Sequence, residues 1–92
     1  MPRITIALSN PALSGSFETR NDQNNTIART DRSLSHSYEA ETGKTYRTAI
    51  AVTGPEGTKY KIKVTGASSA VYPTGEQTLD DNLDHFVVRT TG

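Results

Sequence analysis

The sequence predicts an antiparallel all-β domain, a small sandwich or open barrel of about seven strands, and three observations carry that prediction. Threonine is the commonest residue, with fourteen Thr and eight Ser in 92 residues, and its branched Cβ favours strands over helix interiors. Several runs alternate apolar and polar residues with period two. Clusters of Gly, Pro, Asn and Asp separate those runs at short spacing. A chain of this length holds one core, so residues 1–92 form a single domain.

Ile4, Ile6 and Leu8 alternate with Thr5 and Ala7, which gives a first strand with one apolar face. Asn10-Pro11 and Gly15 turn the chain, and a second strand runs from Gly15 to Arg20 around Phe17. Asn21 to Asn25 is a polar loop, because Asn and Asp side chains bond their own backbone and favour turns. Strands follow at Thr26 to Thr30 and Leu34 to Ala40, the latter with Leu34, His36 and Tyr38 on one face and Ser35 and Ser37, continuing from Ser33 just before it, on the other.

Gly54-Pro55-Glu56-Gly57 fits a turn closed by a left-handed glycine, with Pro setting φ at the first corner. Such a turn predicts a central hairpin from Tyr46 to Val64, pairing Val52 with Tyr60, Ile50 with Ile62 and Thr48 with Val64. Tyr46, Ile50, Val52, Tyr60, Ile62 and Val64 then face the core, and Arg47, Ala49, Ala51, Lys59, Lys61 and Lys63 face solvent. The tail is readable in two ways. A short helical turn over Leu79 to Asp84 followed by a strand from His85 to Thr90 respects the β-branched residues near the end. A helix across residues 79–89 instead uses Thr78 as N-cap, with Leu79, Leu83, Phe86 and Val87 on one face.

Charge and composition exclude several function classes. Ten basic and ten acidic residues leave no global field to hold nucleic acid or an anionic membrane. The charge is uneven along the chain: residues 1–63 carry nine Lys/Arg against six Asp/Glu, and residues 64–92 carry one against four. That +3/−3 division favours internal pairing or head-to-tail contact between copies. No apolar run approaches the roughly 20 residues of a membrane span, and the start, MPRITIALSNP, is too short and broken for a secretory signal. Cysteine is absent, which removes disulfides, thiol nucleophiles and thiolate metal sites.

The motifs of catalysis are missing too. No nucleophile elbow, phosphate-binding loop or dinucleotide fingerprint occurs, and Ser68-Ser69 has no neighbouring base. Asp80, Asn82 and Asp84 stand at alternate positions like the first ligands of a calcium loop, with Glu76 or Asp81 near enough to add charge. An EF-hand, however, requires Gly and Glu where this chain has His85 and Thr91. His36 and His85 have acids nearby in sequence, but their spacing defines no metal site.

The expected function is therefore non-catalytic, with no cofactor and no metal: a protein-interaction or structural module that associates with other proteins or with copies of itself as a homo-oligomer. The candidate contacts are Arg47, Lys59, Lys61 and Lys63 on the basic side and Asp80, Asp81 and Asp84 on the acidic side. A lysine row also serves to keep a strand in water and away from other chains. Three alternatives stand beside this. A nucleic-acid-binding barrel would use the basic strand face, although Tyr46 and Tyr60 point away from the lysines. A calcium-dependent carbohydrate or adhesion module would use the aspartates. An enzyme inhibitor would present the turn at Asn10 to Gly15 or the one at Val71 to Gln77 to a cleft.

Overall fold

The computed structural model describes residues 3–92; Met1 and Pro2, which open the run read against a secretory signal, lie outside them. The described residues form strands and no helix. In chain order the strands are β1 (Arg3–Leu8), β2 (Ser14–Arg20), β3 (Thr26–Ser33), β4 (Ser35–Glu39), β5 (Thr45–Thr53), β6 (Lys59–Tyr60), β7 (Ile62–Thr65), β8 (Ser69–Val71), β9 (Gln77–Thr78) and β10 (Leu83–Thr91). They make a three-stranded sheet, β4-β1-β7, a five-stranded sheet, β3-β2-β5-β10-β8, and a short β6-β9 ladder, all antiparallel.

The two larger sheets close over one core. The three-stranded sheet contributes Ile4, Ile6, Leu8 and Ile62, and the five-stranded sheet contributes Phe17, Ile50, Val52 and Val88, all buried in one cluster. Alternation puts these residues inside, since every second side chain of a strand points to the same face. β3 and β4 are one stretch of chain that changes sheets at Leu34. Asp31 and Arg32 bulge opposite Ser16 just before the corner, with Arg32 at φ 52°, and this bends the strand out of one layer toward the other.

The expected central hairpin does not form, although its turn does. Gly57 has φ 82°, and the Thr58 N–H donates to the Pro55 carbonyl at 3.2 Å. The strands on either side part company after that. β5 has β2 on one side and β10 on the other, so Ile50 stands opposite Phe17 and Phe86 and not opposite Ile62. With both edges of β5 taken, β7 crosses to the other layer, where Ile62 stands opposite Leu8 and Val64 opposite Ile6. Tyr46, Ile50, Val52, Tyr60 and Ile62 are nonetheless buried, and Val64 packs against the core, because alternation decides the face whichever strand lies alongside.

The tail is strand from Leu83, and neither the helix nor the helical turn forms. Asp81 and Asn82 have φ of 51° and 65°, and the Leu83 N–H donates to the Asp80 carbonyl at 3.0 Å. Two successive left-handed residues make a primed turn, which Asp and Asn tolerate, and the β-branched residues beyond it extend into β10.

Candidate functional site

Burial inside the sandwich is partly polar. Thr19, His36, Thr48 and Thr90 are all buried. The Thr30 hydroxyl bonds His36 Nδ1 at 2.7 Å, the Thr19 hydroxyl bonds His36 Nε2 at 2.8 Å, and Thr19 and Thr48 bond each other at 2.7 Å. Tyr38 and Thr90 hydroxyls meet at 2.6 Å. Burial lowers the His36 pKa and raises that of Tyr38. Each of these groups is enclosed and bonded to a neighbour, which makes the network part of the core. Threonine enters the core here because its methyl packs while its hydroxyl finds a partner, a use that period-two patterning of apolar residues misses.

The basic residues expected on one face are divided between two. Arg47 is on β5 of the five-stranded sheet, whereas Lys59 is on β6 of the short β6-β9 ladder, Lys63 is on β7 of the three-stranded sheet and Lys61 lies between them. Lys63 stands opposite Ala7 on β7, an edge strand of its sheet, the position where lysine keeps an exposed edge from pairing. All three lysines are exposed.

Of the acids, Asp80 and Asp81 come together with Glu56: one carboxylate oxygen of each lies within 4.8 Å of the others, and all three residues are exposed. Asp84 is not part of that group. Its Oδ2 accepts a hydrogen bond from the Tyr60 hydroxyl at 2.6 Å and its Oδ1 accepts one from the Asp80 N–H at 3.3 Å. Burial, and then this bond to Asp84, push the Tyr60 pKa up, so the pair holds the turn onto the core. Asn82 is similarly occupied, its side-chain amide donating to the Gly54 carbonyl at 2.9 Å. His36 and His85 do not meet: His36 is inside, and His85 stands exposed on the outer face of β10.

The feature that sequence reasoning missed is on the outer face of the five-stranded sheet. In the β2–β5 register Arg20 is the partner of Arg47, and in the β5–β10 register Arg47 is the partner of Arg89. Three arginines therefore stand in one line across three adjacent strands, about 4.8 Å from strand to strand. Like charges directly opposite one another in a sheet are destabilising, so nothing in the packing of the sheet itself asks for this row. Arg20 has Glu18 at 3.6 Å, while Arg47 and Arg89 have no carboxylate partner among the described residues. Arg20 and Arg47 do converge on Asn24, bonding its carbonyl and its side-chain oxygen at 3.2 and 3.3 Å, which holds them upright at the end of the sheet. Next to the row, Ala49 and Ala51 floor a shallow groove of about 330 Å³, walled by Ser16, Glu18, Arg29 and Val87. No signal in a single strand could have disclosed the row, because it exists only once the register of three strands is set.

No protein-family model matches the chain, nor does any curated protein or any solved structure.

Proposed function

We propose that this domain is a non-catalytic protein-interaction module that holds an acidic segment of a partner protein against the outer face of its five-stranded sheet. The observation that carries this reading is the Arg20–Arg47–Arg89 row. Three guanidiniums in line form a ladder of planar donors matched to carboxylates, and each can take one in bidentate fashion. The alanine floor beside them accepts an apolar side chain of the same segment. Arg29 adds a fourth cation to that face, at the position opposite Glu18.

One point favours a protein over a nucleic acid. Outer-face positions of β2, β5 and β10 hold no Phe or Tyr ring on which a base could stack, Phe17, Tyr46 and Phe86 being turned inward, and only the smaller imidazole of His85 stands on that face. The lysines of β6 and β7, away from this face, are assigned to edge protection.

Fluorescence anisotropy with a labelled oligoglutamate peptide tests the reading. Binding should weaken with added salt and fall at least about tenfold in a variant carrying Arg20→Ala, Arg47→Ala and Arg89→Ala. Replacing Lys59, Lys61 and Lys63 by alanine should leave it unchanged. Equal loss from both triple variants would mean that only overall charge matters, and the reading would be abandoned.

A further inference from the structure

β10 has a strand on one side along its whole length and on the other side along only part of it. β5 pairs with every residue from Leu83 to Thr91, whereas β8 reaches only Arg89, Thr90 and Thr91. In an antiparallel ladder alternate residues turn their N–H and C=O to the same side. The Ser68 N–H donates to the Thr91 carbonyl, and the Gly92 N–H donates to the Lys44 carbonyl, so odd-numbered peptide groups of β10 face β8 and even-numbered ones face β5. Those of His85 and Val87 consequently point to the edge beyond the end of β8, where no backbone group bonds them among the described residues.

Edge strands are ordinarily blunted by bulges, prolines or lysines. β3, at the other edge of the same sheet, has register shifts on both sides of its pairing with Phe17 to Thr19 and a left-handed Arg32. β10 has none of these devices: its register with β5 is unbroken, and it contains neither Pro nor Lys. It is instead apolar. Of the exposed large hydrophobics among the described residues, Ile27, Val71, Leu83 and Val87, all but Ile27 stand on β8 and β10, and the pairing of Val71 with Arg89 puts them on one face.

We propose that this edge pairs with the same edge of a second copy, antiparallel about a two-fold axis at His85, joining two five-stranded sheets into one continuous sheet. Two obstacles set the register, β8 at one end of the open stretch and the turn at Asp81 and Asn82 at the other. Pairing His85 with its counterpart bonds that residue's open peptide groups in both chains, and the Val87 N–H of each chain donates to the Leu83 carbonyl of the other, the Leu83 N–H being held by Asp80. It also sets Leu83 directly opposite Val87 of the second copy, so two exposed hydrophobics of each chain pack across the join and stop short of the position beside Arg89 that Val71 fills. Charge selects a second copy over a foreign strand: the antiparallel arrangement carries Asp80, Asp81 and Glu56 of each chain toward Arg89 of the other, and a parallel one would bring acid to acid. The contact is isologous and closes at two. It rests on the open strand edge and not on the arginine row, but Arg89 and Val87 belong to both surfaces, so a second copy and an acidic segment compete for them.

Light scattering after size exclusion at about 0.5 mM protein should give twice the 10.0 kDa chain mass, falling toward the monomer on dilution by mass action. Val87→Lys places an edge guard on an exposed position and should weaken the dimer at least about tenfold while circular dichroism stays that of the parent. If that variant fails to fold, the parent decides the matter: the His85 and Val87 amides should exchange slowly when concentrated and fast when dilute. A monomer at the high concentration, a dimer indifferent to Val87→Lys, or exchange at these two amides independent of concentration would each overturn the proposal.

Discussion

The imidazole of His36 stacks on the ring of Phe17 with centroids 5.2 Å apart and planes 1° from parallel. Both ring nitrogens meanwhile bond threonine hydroxyls from neighbouring strands, so one small ring joins the apolar and polar parts of the core. A neutral imidazole suits this position, since one nitrogen donates, the other accepts, and the hydroxyls rotate to match.

Stability should consequently fall as the solution is acidified. Burial puts the His36 pKa of the folded state below its ordinary value of 6.5, so the unfolded chain binds the proton first. The contribution of the neutral ring is complete above pH 6.5 and is lost as the pH drops below that value toward the folded-state pKa. Melting temperatures measured between about pH 7.5 and pH 5 should fall for the parent and vary less for His36→Gln, which keeps a donor and an acceptor but has no proton to bind in that range. Equal slopes for the two proteins would remove His36 as the source.

Thr19 is the hinge of the same network, because its single hydroxyl serves both His36 and Thr48. Thr19→Val keeps the shape and leaves two buried polar groups each short of a bond. A loss of about 1–3 kcal/mol in chemical denaturation is expected, whereas the exposed Thr53→Val should change stability by under about 0.5 kcal/mol.

The arginine row makes the opposite prediction, a gain of stability on removal. Arg47 has a like charge directly opposite on each side, so Arg47→Thr, which retains a good strand former, should raise stability by roughly 0.2–1 kcal/mol. The gain should shrink as salt is added, and affinity for the acidic peptide should drop in the same variant. A destabilised Arg47→Thr protein would show that the bond to Asn24 outweighs the repulsion.

These residues also mark how far the sequence could be read. Period-two patterns place Ile4, Ile50 and Tyr60 inside correctly, because which face a side chain takes depends only on its own strand. Which strand lies beside which depends on long-range pairing, and the Gly54 to Gly57 turn has the same local chemistry whether the chain returns alongside β5 or crosses to the other sheet. The arginine row and the open edge of β10 depend on that pairing, and so were invisible. Leu83 and Val87 suggested an apolar helix face together with Leu79 and Phe86; the strand instead divides them, with Phe86 packed against the core and Leu83 and Val87 exposed.

Two glycines with the same backbone sign should respond differently to a methyl group. Gly43, at φ 80°, has open space where a Cβ would stand, with nothing within 4 Å. Gly66, at φ 87°, adjoins the Arg3 carbonyl, and an added Cβ would collide with its oxygen. Gly43→Ala thus incurs the left-handed penalty alone, about 1–2 kcal/mol. Gly66→Ala adds a backbone collision that no side-chain rotation can relieve, and β7 must move from β1 to admit it. Urea denaturation should show Gly66→Ala as the more severe by more than about 1 kcal/mol, since strain at a special φ and loss of close packing belong to the mechanisms behind large effects. Similar losses at both positions would mean that the Arg3 end of β1 gives way without cost.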